Sequence, residues 1–263
     1  MENISKNVSE KTMRDRQKED KNELVVSYLT LRKLIGFCGI FLPIILCIIW
    51  HENPYYHHFE PSISDYYYTR GGDVFVIILS ATGLFLFTYN GYDKLEKWLL
   101  KIAAICAILV PLIPTDPKGL AIQTACEGCG KPIHNVSYRG FLGCYINSTW
   151  HLIFAAIFLL CLAIISLKYF PKTNDPNYLK GIGRHSQKAK RNIVYKVCGW
   201  MIVSSLIILA VIMLTEHYLR HELFPGIPVI FIFETISVWA FGFSWLTKGE
   251  TLLPDKKVIN PQG

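Results

Sequence analysis

Ser62, Ser64 and Asp65 lie within four residues of one another in the stretch HENPYYHHFEPSISDYYYTRGGDVF, residues 51–75, which also carries His51, His57, His58 and five tyrosines. Hydroxyls, a carboxylate and imidazoles at this density can orient a polar ligand by hydrogen bonds, or hold and move a proton. Asp73 closes this stretch where the next apolar run begins, and elsewhere in the chain His151 and Glu234 stand at the start of and within apolar runs. With Ser64 and Asp65 they form the expected ligand-binding set. Glu234, about two turns into the run FIFETISVWAFGF, is costly inside a membrane unless paired, protonated or wetted. Its expected partners are His151 or Arg220; the plain alternative is a helix-packing contact with groups such as Ser80 and Thr82.

Two other clusters could bind metal. In Glu216-His-Tyr-Leu-Arg-His-Glu222, His217 and His221 are four apart and share a helix face if the helix continues that far. With His151 they would make a three-histidine zinc set, with Asp65 or Glu216 taking a proton from bound water. The plain reading is a polar helix end at an interface. The second cluster is Cys126, Cys129, His134 and Cys144 in the connection 115–149, with the spacing C-x2-C-x4-H-x9-C. It opens like a zinc knuckle, but the last spacing is long. On an oxidising side, a disulfide from Cys144 to Cys126 or Cys129 is the first expectation. Cys38, Cys47, Cys106, Cys161 and Cys198 fall in apolar runs and read as packing residues.

Apolar runs at 31–50, 73–89, 98–113, 150–167, 195–215 and 227–245 must position these groups. Each is near the twenty residues that cross about 30 Å of hydrocarbon as helix. The composition agrees, at 51% hydrophobic with only 18% charged residues, against about 25% charged in soluble domains. The third run is the weakest, because Lys101 interrupts its start and Pro111 and Pro114 its end; Lys101 can snorkel to the interface. The expected fold is therefore an all-α polytopic bundle of six transmembrane helices.

Charge sets its orientation. Alternating the connections places 22 of the 27 Lys and Arg on one side, leaving Arg70, Lys118, Lys131, Arg139 and Arg220 on the other. By the positive-inside rule both termini are cytoplasmic. Residues 1–30 then form a polar cytoplasmic tail, without the apolar core and cleavage site of a signal peptide. The bundle occupies 31–248, with outer loops 51–72, 115–149 and 216–226 and a basic cytoplasmic loop 168–194; a second tail covers 249–263. The net charge of +7 is a topology signal and gives no indication of nucleic-acid binding. Eight Lys and Arg against Asp175 alone in 168–196 fix topology and could also hold anionic lipid headgroups. Asn135-Val-Ser and Asn147-Ser-Thr match glycosylation acceptors.

Pro61-Ser-Ile-Ser-Asp65, Asp73-Val-Phe75, His151, Arg191 and Glu234 together resemble a six-span superfamily. It includes the damage-regulated autophagy modulator (DRAM/Sfk-like) proteins and bacterial membrane families of unknown function. The likeness covers most of 31–248 and is greater to the bacterial members. It implies a six-helix bundle in a bacterial inner membrane, and roles in lipid signalling or traffic; the cysteine loop departs from the pattern. A second likeness is to alkaline ceramidase and progestin-receptor-like hydrolases, carried by Ser64, Asp65, His151, His217 and His221, although those have seven spans and another residue order.

The leading expectation is a non-enzymatic membrane protein whose outer polar pocket binds a lipid headgroup or small ligand without a cofactor. The alternative is a zinc-dependent membrane hydrolase. A proton-coupled transporter using Glu234 ranks third, since neither internal repeats nor broken helices are evident.

Overall fold

A computed structural model describes residues 27, 29–49, 59–91, 93–115, 149–172 and 187–253. Six long helices run through them. They are α1 Leu29–Ile49, α2 Gly72–Thr88, α3 Lys94–Leu112, α4 Thr149–Ile164, α5 Gln187–Leu219 and α6 Val229–Lys248. A short 3-10 helix, Ser64–Tyr68, precedes α2, and α4 runs on as a π-helical turn, Ile165–Tyr169. There is no strand among the described residues.

Four helices are long and apolar enough to cross a membrane: α1, α4 with its π turn, α5 and α6. That is the character of a membrane protein, and large apolar side chains such as Ile77, Ile207 and Leu214 accordingly face outward. The other two differ from a plain span for readable reasons. At 17 residues α2 is apolar but short, and every 18-residue stretch of α3 includes Glu96, Lys97 and Lys101. The Lys101 ammonium lies over the Trp98 and Phe87 rings at 5.8 and 5.9 Å, its stem laid along apolar surface.

α5 is much longer than the expected run. Gln187, Lys188, Ala189, Lys190 and Arg191 are strong helix formers, so residues 187–194, expected in a loop, are its first two turns. At its other end it stops at Leu219, and Arg220 is left-handed with φ 55°.

α5 packs extensively on α6, α2 on α3, and α3 on α4. α1 crosses α6 at small residues. A Cβ on Gly242 would come within 2.8 Å of the Gly36 carbonyl, and one on Gly39 within 3.0 Å of the Val238 carbonyl, so only glycine permits this approach. The start of α1 therefore meets the end of α6. Arg32 Nη2 and Nε donate to Tyr89 Oη at 2.9 and 3.1 Å, and Nη1 to the Lys248 carbonyl. We call this end the terminal face and the opposite end the turn face.

Just inside the terminal face the core is aromatic. Trp245, essentially without exposure, meets Tyr89 and Phe170 edge-on at centroid separations of 5.2 and 5.3 Å, and Phe241 at 6.1 Å. At the π turn, Ser166 and Ser244 hydroxyls share a 2.6 Å hydrogen bond, and Ser166 also contacts the Tyr195 carbonyl. Cys106, Cys161 and Cys198 are buried packing residues, with Cys38 and Cys47 half-buried; all five are free thiols.

Candidate functional site

The sequence folds residues 59–71 into a tight polar turn. Ser62 Oγ accepts the Asp65 N–H at 3.1 Å, starting the 3-10 helix. Thr69 ends it, its hydroxyl donating to the Tyr66 carbonyl (2.8 Å) while accepting the Gly71 N–H (3.0 Å). Gly72 lets α2 begin directly beneath, because a Cβ there would fall 2.2 Å from the Tyr67 carbonyl.

Three helices fasten this turn. From α6, Glu234 Oε2 accepts the Ile63 N–H at 2.6 Å, and the Phe231 N–H donates to the Pro61 carbonyl at 2.9 Å. From the end of α3, Thr115 Oγ1 donates to Asp65 Oδ1 at 3.2 Å, and Tyr68 Oη donates to the Thr115 carbonyl. From α4, His151 Nε2 lies 2.9 Å from Ser64 Oγ. The other ring nitrogen of His151 faces the Val110 and Ile113 carbonyls, at 2.9 and 2.8 Å. Carbonyls only accept, so Nδ1 carries the proton, and Nε2 takes the Ser64 hydroxyl hydrogen. His151 is 1% exposed, and Ser62, Ser64 and Asp65 are buried with it.

Ser64, Asp65, His151 and Glu234 are thus brought together around one turn. Asp73 is exposed, in the first turn of α2, where a carboxylate favours the helix dipole. The partner given to Glu234 is the Ile63 backbone rather than Arg220, which is exposed beyond the end of α5. Thr82 bonds its own helix through the Ile78 carbonyl.

The three-histidine arrangement does not form. Because α5 ends at Leu219 and the chain turns left-handed at Arg220, His217 and His221 do not share a helix face; both are exposed. Among the described residues no three His, Cys, Asp or Glu side chains group as an ion would need. Glu216 Oε1 instead accepts the Leu223 N–H at 3.1 Å, closing the chain after the helix. Cys126, Cys129, His134 and Cys144 lie outside the described residues.

Two residues at the turn escaped sequence reasoning. Glu60 is 2% exposed, and its Oε1 has no hydrogen-bond partner; the Tyr66 hydroxyl, on a residue 1% exposed, has none either. Burial, then the nearby Asp65 charge, pushes the Glu60 carboxyl up to about 7. Burial first, then Cys47 and Glu60, pushes the Tyr66 phenol up as well; the Glu60 amide points toward that oxygen without completing a hydrogen bond. Glu60 stands in a run of alternating polar and aromatic residues, so no periodicity marked it as interior.

Chemically, the arrangement offers a rigid hydroxyl–imidazole pair and carboxyl groups held in a dry setting. No protein-family model, curated protein or solved structure matches the chain.

Proposed function

We propose that the chain is a six-span integral membrane protein of the bacterial inner membrane, with both termini cytoplasmic, whose outward-facing turn pocket binds a lipid headgroup or small ligand. The observation that carries this reading is the concentration of buried ionisable groups. Among the described residues, Glu60, Asp65 and His151 are buried carboxyl and imidazole groups at the turn face, whereas Glu96 is the one such group buried near the terminal face. Buried polar groups weaken a bundle held only by packing, and they mark functional positions in membrane proteins. The six helices and the meeting of Arg32 with Lys248 suit an even number of crossings, and the 22-to-5 division of basic residues sets the sidedness. The likeness to the DRAM/Sfk-like superfamily supports a role with lipids. The basic segment, including Lys188, Lys190, Arg191 and Lys196 on α5, would lie at the cytoplasmic surface, where anionic lipid binds.

The test is mass spectrometry of lipids and small molecules retained by the purified chain, beside His151→Ala and Glu234→Gln variants. A species enriched over bulk lipid in the parent and lost from both folded variants supports the reading; retention identical in all three overturns it.

One observation favours hydrolysis as a second reading. Ser64 and His151 have the spacing of a nucleophile and its base, with the base oriented through Nδ1. A fluorophosphonate probe that labels Ser64 in the parent but not in His151→Ala would support it, and no labelling at pH 8 would overturn it.

A further inference from the structure

The Glu60 carboxyl and the Tyr66 hydroxyl have no part in fastening the turn, although the Tyr66 carbonyl and ring do. The buried side chains of Ser62, Ser64 and Asp65 in the same turn each make a bond that holds it in place: Ser62 to Asp65, Ser64 to His151, and Asp65 to Thr115. The Glu60 carboxyl and Tyr66 hydroxyl are equally buried and bond to nothing. A buried acceptor left unmade costs about 1–3 kcal/mol, more when charged, so such a pair calls for a partner from outside the fold.

The chemistry of that partner follows from the groups present. An ionised carboxylate only accepts, so it calls for a donor, and a positively charged one for preference. Its neighbour Tyr66 belongs to an aromatic group: Tyr66 meets Phe231 at a centroid separation of 5.7 Å, and Phe231 meets Phe59 at 6.4 Å. Phe59, at the outer end of this group, is 44% exposed. A carboxylate among aromatic faces is how proteins hold organic ammonium groups. A bare metal ion would need further hard ligands, and no group of three metal-binding side chains occurs among the described residues.

We propose that Glu60 and Tyr66 are the seat of a protonated amine, carried on an aminoalcohol lipid headgroup or free in solution. The proposal rests on the reading of the turn pocket as a ligand site, and names the ligand's charge and class. Glu60 would form the ion pair, the Tyr66 oxygen would accept a second N–H, and Phe59 and Phe231 would line the seat. Binding would require Glu60 ionised. Among the described residues, the titratable groups near it are Asp65 and Tyr66 on its own turn, with Cys47 of α1 beyond Tyr66, Glu234 of α6 at Ile63, and His151 of α4 behind Ser64. Of these, Asp65 opposes ionisation of Glu60, and an incoming ammonium relieves that repulsion.

The experiment is calorimetric titration of the full chain in a neutral detergent, at pH 6 and pH 8. The probes are lysophosphatidylethanolamine, lysophosphatidylglycerol and free ethanolamine. The expected result is binding of lysophosphatidylethanolamine at pH 8 that weakens about tenfold at pH 6, as Glu60 takes up its proton. Glu60→Gln should lose about tenfold at pH 8 and show no pH dependence. Tyr66→Phe, which keeps the ring, should lose less. Ethanolamine competing at equal strength would assign the seat to free amines, and ethanolamine without effect would assign it to the lipid. Lysophosphatidylglycerol binding as well as lysophosphatidylethanolamine, or a folded Glu60→Gln that binds unchanged, would overturn the ammonium assignment while leaving the pocket a ligand site. Binding of none of the three probes would overturn the assignment and weaken the pocket reading itself.

Discussion

The two ends of the bundle bury acid by opposite means. At the terminal face, Glu96 is as buried as Glu60 is at the turn face. Glu96, however, shares its surroundings with cations: the Lys248 ammonium is in the field of Glu96, Arg32, Lys188 and Arg191, and Lys172 also feels Glu96. Lys248 and Arg32 in addition lie over the Phe170 and Tyr89 rings, at 5.2 and 5.5 Å. Charge there is part of the joint that closes α1, α2 and α6 on one another. Glu60 has Asp65 and the Tyr66 phenol for neighbours, and its ionisation is resisted first by burial and then by the Asp65 charge. One end sets its buried acid among cations of the fold, and the other sets its buried acid beside another acid. A structural role fits the first, and the proposed binding role the second.

The largest effect should come from Trp245→Ala. It removes the ring on which Tyr89, Phe170 and Phe241 all pack, and should cost about 3–5 kcal/mol of stability. Thermal unfolding in detergent would measure it, and binding at the turn face should survive in whatever fraction remains folded. His151→Ala should cost less, about 2–3 kcal/mol, by stranding the Val110 and Ile113 carbonyls and the Ser64 hydroxyl. It should abolish binding as well. If Trp245→Ala also abolished binding in folded protein, the two ends would be coupled and the contrast between them would fail.

The pH dependence of stability sharpens the same contrast. The Glu60 carboxyl is raised from the ordinary 4.5 to about 7. Below pH 4.5 it is protonated whether the chain is folded or not, and above about 7 it is ionised in both. Between these values only the unfolded chain releases the proton, so stability should fall as pH rises through that window. The limit for this shift is about 3 kcal/mol in all. The melting temperature of the parent should therefore fall between pH 5 and pH 7, and that of Glu60→Gln should stay nearly level. A parallel decline in both would assign the effect to Asp65 or another carboxyl.

Much of this was legible in the sequence, and the remainder was not for definite reasons. The six helices follow from apolar run length, which is a local property. The gathering of Ser64, Asp65, His151 and Glu234 was legible in part, because lone polar residues in apolar runs have few places to go. Their partners were not. Glu234 bonds the Ile63 backbone N–H, and every residue but proline supplies that group, so no side-chain pattern announces it. Spacing puts His217 and His221 on one face only if α5 continues, and the plain reading of a polar helix end agrees with the break at Arg220, a backbone event that no side-chain pattern locates. Glu60 was invisible because its burial comes from docking of the turn on α6, which lies about 170 residues later in the chain.

The smallest effect should come from the ion pair between Lys172 and Asp93. It links the end of α4 to the start of α3 on the surface, with both side chains about half exposed. Asp93 holds the Lys172 ammonium above its ordinary range, chiefly by the hydrogen bond between them. For a cation with a raised folded value, the linked stability is full below the unfolded value of 10.5 and is lost only at still higher pH. No pH dependence from this pair should therefore appear between pH 5 and pH 9. Solvent screening and the entropy of two long side chains leave exposed pairs with little net effect. Lys172→Ala should unfold at the parent's temperature, whereas Ser64→Ala, with one buried hydrogen bond lost to His151, should cost about 1 kcal/mol. Equal losses from the two would mean that exposed charge at the terminal face matters as much as buried polarity at the turn face. That result would remove the ground for assigning binding to one end alone.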